Sequence, residues 1–209
     1  MLETALIAFT TYFATIGPAD VAALFAALTP DNTPAERRQM ALRGTLIATA
    51  ILLVFALFGE AALALFGISL PALRAAGGIL LLLIAIDMVF GRPSGGTTTT
   101  SEENAEAALK DDISVFPLAT PLIAGPGAIG ATILLVADAE GNRLRIAVVI
   151  LVLLAMLLLT FLLMLIATQV QRLLGLTGLH VVSRVVGVLL AALAVQFIFD
   201  GIGTSGILS

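Results

Sequence analysis

An all-α integral membrane protein is what this sequence predicts, with about six transmembrane helices forming two inverted three-helix repeats whose first helices are broken. Three observations carry that expectation: a shortage of charge, long charge-free windows, and landmarks that recur at one spacing in the two halves. Of the 209 residues, 60% are hydrophobic and 11% charged, against about 25% charged in a soluble domain. A span needs about 20 apolar residues, so roughly 125 hydrophobic residues serve about six spans and leave no room for a separate soluble domain.

The same counts exclude several functions. With no cysteine, disulfides, thiolate metal sites and thiol redox chemistry are ruled out. His180 is the only histidine, and no ATP-binding loop is present. No enzyme activity and no cofactor or metal is therefore expected. The net charge of −4 is small, and its acidic part is concentrated in Glu102 to Asp112. Neither nucleic acid nor an acidic lipid surface is indicated as a partner, which leaves the bilayer itself.

Charge-free windows place the spans better than periodicity does, because a helix apolar on every side loses the 3.6-residue pattern. The first span lies within Glu3–Asp31, interrupted by Asp20, and the second within Arg43–Arg74, interrupted by Glu60. The third runs from about Leu73 to Phe90, the fourth over Ile113–Ala137, the fifth over Ile146–Gln171 and the sixth from about Val181 to Asp200. The N-terminus enters span one without a basic n-region or an A-x-A site, and is expected to be retained as a membrane helix. Residues 92–112 are the only long polar segment and divide the chain into a first repeat (1–91), a linker and a second repeat (113–209). Thr100 with Glu103 would suit a capping box opening a short helix; a flexible linker joining two halves is the preferred reading.

Six spans put Arg37, Arg38, Arg43, Arg92, Lys110 and Arg172 on one side, with Arg184 just inside span six, and Arg74, Arg143 and Arg145 on the other. The positive-inside rule makes the first side cytoplasmic and leaves both termini outside the cytoplasm. An inner-membrane, multi-pass location follows.

Arg74-Ala-Ala-Gly77 opening span three matches Arg184-Val-Val-Gly187 opening span six, and Asp87-Met-Val-Phe90-Gly91 is echoed by Phe197-Ile-Phe-Asp200-Gly201, both at an offset of 110. Gly17-Pro18 matches Gly125-Pro126 at an offset of 108. A repeat of three spans enters the membrane from the opposite side the second time, so the halves are expected to be related by an in-plane pseudo-two-fold axis, as in many secondary transporters.

Pro18 cannot donate to the Ala14 carbonyl and its ring crowds that turn, while Gly17 removes side-chain constraint beside it. The helix should unwind there. Phe116-Pro-Leu-Ala-Thr-Pro-Leu-Ile-Ala-Gly-Pro-Gly127 intensifies the device with prolines at 117, 121 and 126, which argues against a regular helix. Irregular backbone at membrane depth survives only where protein or a watered cavity satisfies it. Amides of half-helix N-termini suit a carboxylate, and freed carbonyls suit an ammonium or a cation. The expected site for a small zwitterion or anion is therefore made of Thr15, Gly17, Pro18, Asp20, Ala124, Gly125, Pro126 and Gly127. Paired packing kinks are the plainer alternative.

Asp20 is an intramembrane carboxylate, which is functional by default. Low dielectric favours its protonated form and a nearby cation its charged form, the opposition a coupling group requires. Asp20 and the freed carbonyls near Ala14 and Leu122 are thus the expected site of a coupling ion, H+ or Na+. Arg74 and Arg184 are expected to be structural, with snorkelling sufficient for each. Glu60, Asp87, Asp200 and His180 are expected to be solvated at span ends. Gln196 and Thr132 either line a cavity or bond between helices. Gly125-Pro-Gly127-Ala-Ile-Gly130 satisfies G-x-G-x-x-G, but without a βαβ unit it is no nucleotide site; its glycines are expected to permit close helix approach.

At these residues the chain resembles the MarC family of integral membrane proteins, also grouped as six-span neutral amino acid transporters. The resemblance runs nearly end to end. Its most specific pieces are residues 116–127, Gly67-Ile-Ser-Leu-Pro-Ala-Leu-Arg-Ala-Ala-Gly-Gly78, and Ser183-Arg-Val-Val-Gly187 with Gln196-Phe-Ile-Phe-Asp-Gly201. In the family, Asn-Pro or Asp-Pro is usual where Gly17-Pro18 stands, and a small residue is usual where Asp20 stands. Either the carboxylate one turn on takes over part of the missing polar group's role, or it marks a subgroup with different substrates. The resemblance implies a secondary transporter of small neutral amino acids such as glycine or alanine, driven by an ion gradient and working by alternating access. The alternative is a membrane protein without transport of its own that assembles with or influences other envelope proteins.

Overall fold

The computed structural model describes residues 1–29, 32–91 and 112–206, and side chains in all of these except 167–183. The linker, with the Thr100–Glu103 pair, Arg92 and Lys110, lies outside the described residues, as do the side chains of Arg172 and His180. The described chain is helical throughout and contains no strand. Its elements are α1 (Leu2–Ile16), α2 (Pro18–Leu28), α3 (Pro34–Leu65), α4 (Leu70–Phe90), a diproline segment (Ser114–Ile123), α5 (Pro126–Ala137), α6 (Arg143–Leu165) and α7 (Ala167–Gly203).

Local chemistry sets the boundaries. Thr33 caps α3 with a capping box: its N–H donates to Glu36 Oε2 at 2.8 Å, the Glu36 N–H donates back to Thr33 Oγ1 at 3.4 Å, and Pro34 occupies the first helical position. At the far end Gly67 takes φ +67°, and the Ile68 N–H returns to the Leu63 carbonyl at 2.9 Å, which closes the helix in a Schellman turn. Ser69 then caps α4, accepting from the Ala72 N–H at 3.3 Å. The expected second span over 43–74 therefore joined the end of α3 to the start of α4. Asn142 caps α6 by accepting from the N–H groups of Leu144 and Arg145. Helix α6 ends at Leu165 rather than Gln171, and α7 begins well before residue 181.

Among the described residues, and taking α1 with α2, five helical stretches are long and apolar enough to cross a membrane: Leu2–Leu28, Pro34–Leu65, Leu70–Phe90, Arg143–Leu165 and Arg184–Gly203. The diproline segment and α5 meet at a 53° bend and together make a sixth. At about 1.5 Å per residue α3 is close to 48 Å long, more than the ~30 Å hydrocarbon thickness, so its N-terminal part with Arg37 and Arg38 reaches past the apolar layer. Outward-facing Leu57, Phe58, Leu83, Leu158 and Phe199 are exposed, the surface that lipid covers.

The core lies where α1, α5 and α6 meet, with Tyr12, Ile16, Leu134, Leu153 and Met156 fully enclosed. Helices α4 and α7 run antiparallel in the closest contact of the molecule. A Cβ on Gly78 would stand 2.7 Å from the Ala194 carbonyl oxygen, and one on Gly201 would stand 2.8 Å from that of Pro71. Glycine is what permits backbone on backbone here.

Candidate functional site

Both Gly-Pro pairs end one helical piece and start another, but by different backbone routes. Gly17 sits at φ 59°, ψ 60° and its N–H closes α1 on the Phe13 carbonyl at 3.1 Å; Pro18 is the first residue of α2. Gly125 is extended at φ −79°, ψ 171°, and Pro126 opens α5. Before it, Phe116 and Thr120 are extended and each precedes a cis proline; a residue before proline is pushed out of the α region. Wide turns tie the segment together, with Leu118 N–H to the Ile113 carbonyl and Ala124 N–H to that of Ala119. No regular helix runs through the three prolines, as the sequence leads one to expect.

This difference separates the two glycines. A left-handed conformation costs a non-glycine residue about 1–2 kcal/mol, whereas extended backbone suits any residue. Gly17→Ala should lower stability by that amount and Gly125→Ala by much less, as read from the thermal midpoint in detergent. Equal losses would show that backbone strain does not set the requirement at Gly17.

Helix α1 packs against α5 and α2 against the diproline segment, so the two broken spans lie side by side. Ala14, Thr15, Gly17, Pro18, Leu122, Ala124, Gly125 and Gly127 are buried. Pro126 is exposed. Asp20, in the first turn of α2, is also exposed, at the periphery of the chain rather than enclosed by it. Thr15 Oγ1 donates to the Thr11 carbonyl at 2.8 Å and Thr132 Oγ1 to the Ala128 carbonyl at 2.7 Å. Thr132 thus bonds within its own helix, and so does Gln196, whose Nε2 donates to Asp200 at 2.8 Å. Two fully buried hydroxyls on α1, Thr11 Oγ1 and Tyr12 OH, have no hydrogen-bond partner. The Tyr12 hydroxyl lies beside Thr132 without bonding geometry. A buried polar atom without a partner is costly and calls for an explanation such as a ligand or an ion. Neither hydroxyl was singled out from sequence, although Thr10-Thr-Tyr12 is the most polar run of span one.

Gly130, expected to permit close approach, faces open space. Close approach falls instead to Gly44, Gly59, Gly77, Gly78, Gly187 and Gly201. Nor does Arg74 snorkel. It is 8% exposed, and its Nε and Nη2 reach Asp138 Oδ1 at 3.0 and 2.8 Å, with Glu140 at 3.4 Å. Arg43 meets Asp112 at 2.7 Å, and Asp112 Oδ1 accepts from the Ser114 N–H at 2.9 Å. Hydrogen bonding by Ser114 outweighs partial burial and, with the attraction of Arg43, holds the Asp112 carboxyl below the ordinary carboxylate range. Asp112 precedes the second broken span and Asp138 follows it. Arginines of the first half therefore clamp that span at both ends.

The family model described as MarC family integral membrane protein matches residues 2–205. The chain is 41% identical over 204 residues to the UPF0056 membrane protein MJ1677 of Methanocaldococcus jannaschii, covering 96% of this chain and 97% of that one. It is 36% identical to the UPF0056 membrane protein YhcE of Escherichia coli, over 91% and 87% of the two chains, and 35% identical to YvbG of Bacillus subtilis, over 93% and 92%. No solved structure matches. The length of the match, the identity to these relatives and the crossing helices lead to one assignment: the chain belongs to the MarC family of integral membrane proteins and is a multi-pass membrane protein.

Proposed function

We propose that the protein is a secondary transporter of small neutral amino acids, coupled to an H+ or Na+ gradient, in which the two broken spans form the substrate path. The observation that carries this reading is the side-by-side packing of two broken spans, buried at Gly17 and Gly125, with the unpartnered hydroxyls of Thr11 and Tyr12 about one and a half turns before the first break. Breaks at mid-span put two half-helix N-termini at membrane depth, where their amides favour a carboxylate and neighbouring carbonyls an ammonium. Thr15, Pro18, Ala124, Pro126 and Gly127 flank these points, and the Ala14 and Leu122 carbonyls, each four residues before a proline, are the candidate ion ligands.

An inverted repeat is part of the proposal. Exchanging the halves at the offset of 110 turns the contact of Gly201 with Ala75 into one between Gly91 and residue 185; Gly91 in fact lies 3.6 Å from Arg184 Nη2, measured from an ideal Cβ. Antiparallel packing of α4 and α7 produces both contacts by itself, so the two-fold relation rests on the landmarks that recur in the sequence. Both termini are proposed to face away from the cytoplasm, as the lysine and arginine distribution favours. Single cysteines at Ser101 and Ser209 test this cleanly because the chain has none of its own: an impermeant thiol reagent added outside should label position 209 and not 101, and the reverse result contradicts the orientation.

The reading itself is tested by uptake of labelled glycine, alanine and serine into liposomes containing only this protein, with and without sodium and proton gradients. Saturable, gradient-dependent uptake is expected. Its absence across the panel would overturn the transporter reading in favour of a membrane factor without transport. Asp20 stands in the first turn of α2, directly after the first break, a place that suits a coupling group. Asp20→Asn should retain substrate exchange but lose accumulation and its pH or sodium dependence; accumulation equal to the parent's would move coupling to the carbonyls near Ala14 and Leu122.

A further inference from the structure

A second feature lies away from the breaks, where the start of α1, the end of α5 and the start of α6 meet. There a cavity of about 170 Å³ is lined by Glu3, Thr4 and Ile7 of α1, Asp138 of the turn after α5, and Arg145 and Val149 of α6, among others. It is smaller than the ~300–1,000 Å³ that enclose drug-sized ligands, so only a compact guest fits. Glu3 and Arg145 have no ion-pair partner among the described residues. Both contacts of Arg74 to Asp138 fall on Oδ1, which leaves Oδ2 to accept from a guest. Besides the terminal residue Met1, one guanidinium and two carboxylates line the cavity, and groups of both signs fit a guest with both charges. A bare divalent cation would be repelled by Arg145, and a simple anion by Glu3 and Asp138.

We infer that this pocket is an access site for a small zwitterion, with Arg145 holding its carboxylate and Glu3 and Asp138 its ammonium. Arginine presents the planar fork that carboxylates take in bidentate fashion. Arg74 is a positioning residue: it fixes Asp138 from outside the pocket. As a way station toward the broken spans the site rests on the transport reading, but its occupancy can be read without transport.

The test uses the purified full chain carrying Thr4→Cys, a pocket-lining position in a protein without cysteine. Glycine should slow the reaction of that thiol with an impermeant maleimide, while acetate and ethanolamine, each with only one of the two charges, at the same concentration should not. Adding Arg145→Gln should raise the glycine concentration needed for protection about tenfold or more; Arg143→Gln, which removes a charge at the same end outside the cavity lining, should leave it unchanged. Matching elution profiles and thermal midpoints among the variants exclude a folding defect. Absence of protection by glycine and alanine alike, equal protection by acetate or ethanolamine, or an unchanged protecting concentration in Arg145→Gln would each overturn the inference. If glycine protects but liposomes show no flux, the transporter reading fails and the site stands; flux without protection has the opposite meaning.

Discussion

Converting Asp138 and Glu140 together to their amides should lower the thermal midpoint more than removing Arg74 itself. The Arg74 side chain is 10% exposed, whereas those of Asp138 and Glu140 are 40% and 68% exposed. Losing the acids leaves a nearly buried guanidinium without counter-charge, which costs about 3 kcal/mol, the low end for a broken buried pair because amide oxygens still accept its hydrogens. Losing Arg74 as Arg74→Met leaves two carboxylates in contact with water and refills most of the volume, for about 1 kcal/mol. At roughly 2–4 °C per kcal/mol for a chain of this size, the expected drops are about 6–12 °C and 2–4 °C. Equal drops, or a larger one for Arg74→Met, would mean that the clamp stabilises through packing and not through charge.

An added methyl at the α4–α7 crossing is expected to be as damaging, for a steric reason. In Gly201→Ala the new Cβ would stand 2.7 Å from the Ala75 nitrogen and 2.8 Å from the Pro71 carbonyl oxygen, and in Gly78→Ala it would stand 2.7 Å from the Ala194 carbonyl oxygen. Backbone atoms cannot rotate away as a side-chain tip can, so the helices must separate. Overpacking of this kind costs about 1–3 kcal/mol per site, and the pair should fall short of the sum if the helices part once for both. Gly130→Ala meets nothing within 4 Å and should be neutral or stabilising by up to about 1 kcal/mol through helix propensity. A destabilising Gly130→Ala beside a silent Gly201→Ala would contradict the packing described.

What sequence could show depended on how local the cause is. The breaks at Pro18 and Pro126 were legible because a missing N–H and a crowded ring are properties of a few consecutive residues. Stretches of apolar side chains gave the crossing helices for the same reason. The boundary at Gly67–Ser69 was written in the sequence too, yet counting charges passed over it, since no charge stands between Glu60 and Arg74. The capping box at Thr33–Glu36 lies ahead of Arg43, outside the charge-free window that marks the span. Long-range contacts were not legible. Arg74 meets Asp138 across 64 residues, and nothing near either residue distinguishes a buried ion pair from snorkelling. For Gly130 and Gly78 the surrounding sequence is equally small and apolar; only the neighbouring helix decides which faces a backbone. The orphan hydroxyls of Thr11 and Tyr12 belong to the same class, because burial without a partner is a property of the assembled bundle.

Accessibility of Ala124, at the second break, tests most directly whether the broken spans form the substrate path. This residue is 2% exposed, and cysteine there adds one sulfur to a chain that has no other. In liposomes holding active Ala124→Cys protein, a small impermeant thiol reagent should label the position from each face in turn as the gradient is reversed, and glycine or alanine should slow the labelling. Continued saturable transport with position 124 unlabelled from both faces, or labelled at a rate that substrate does not change, would contradict the account.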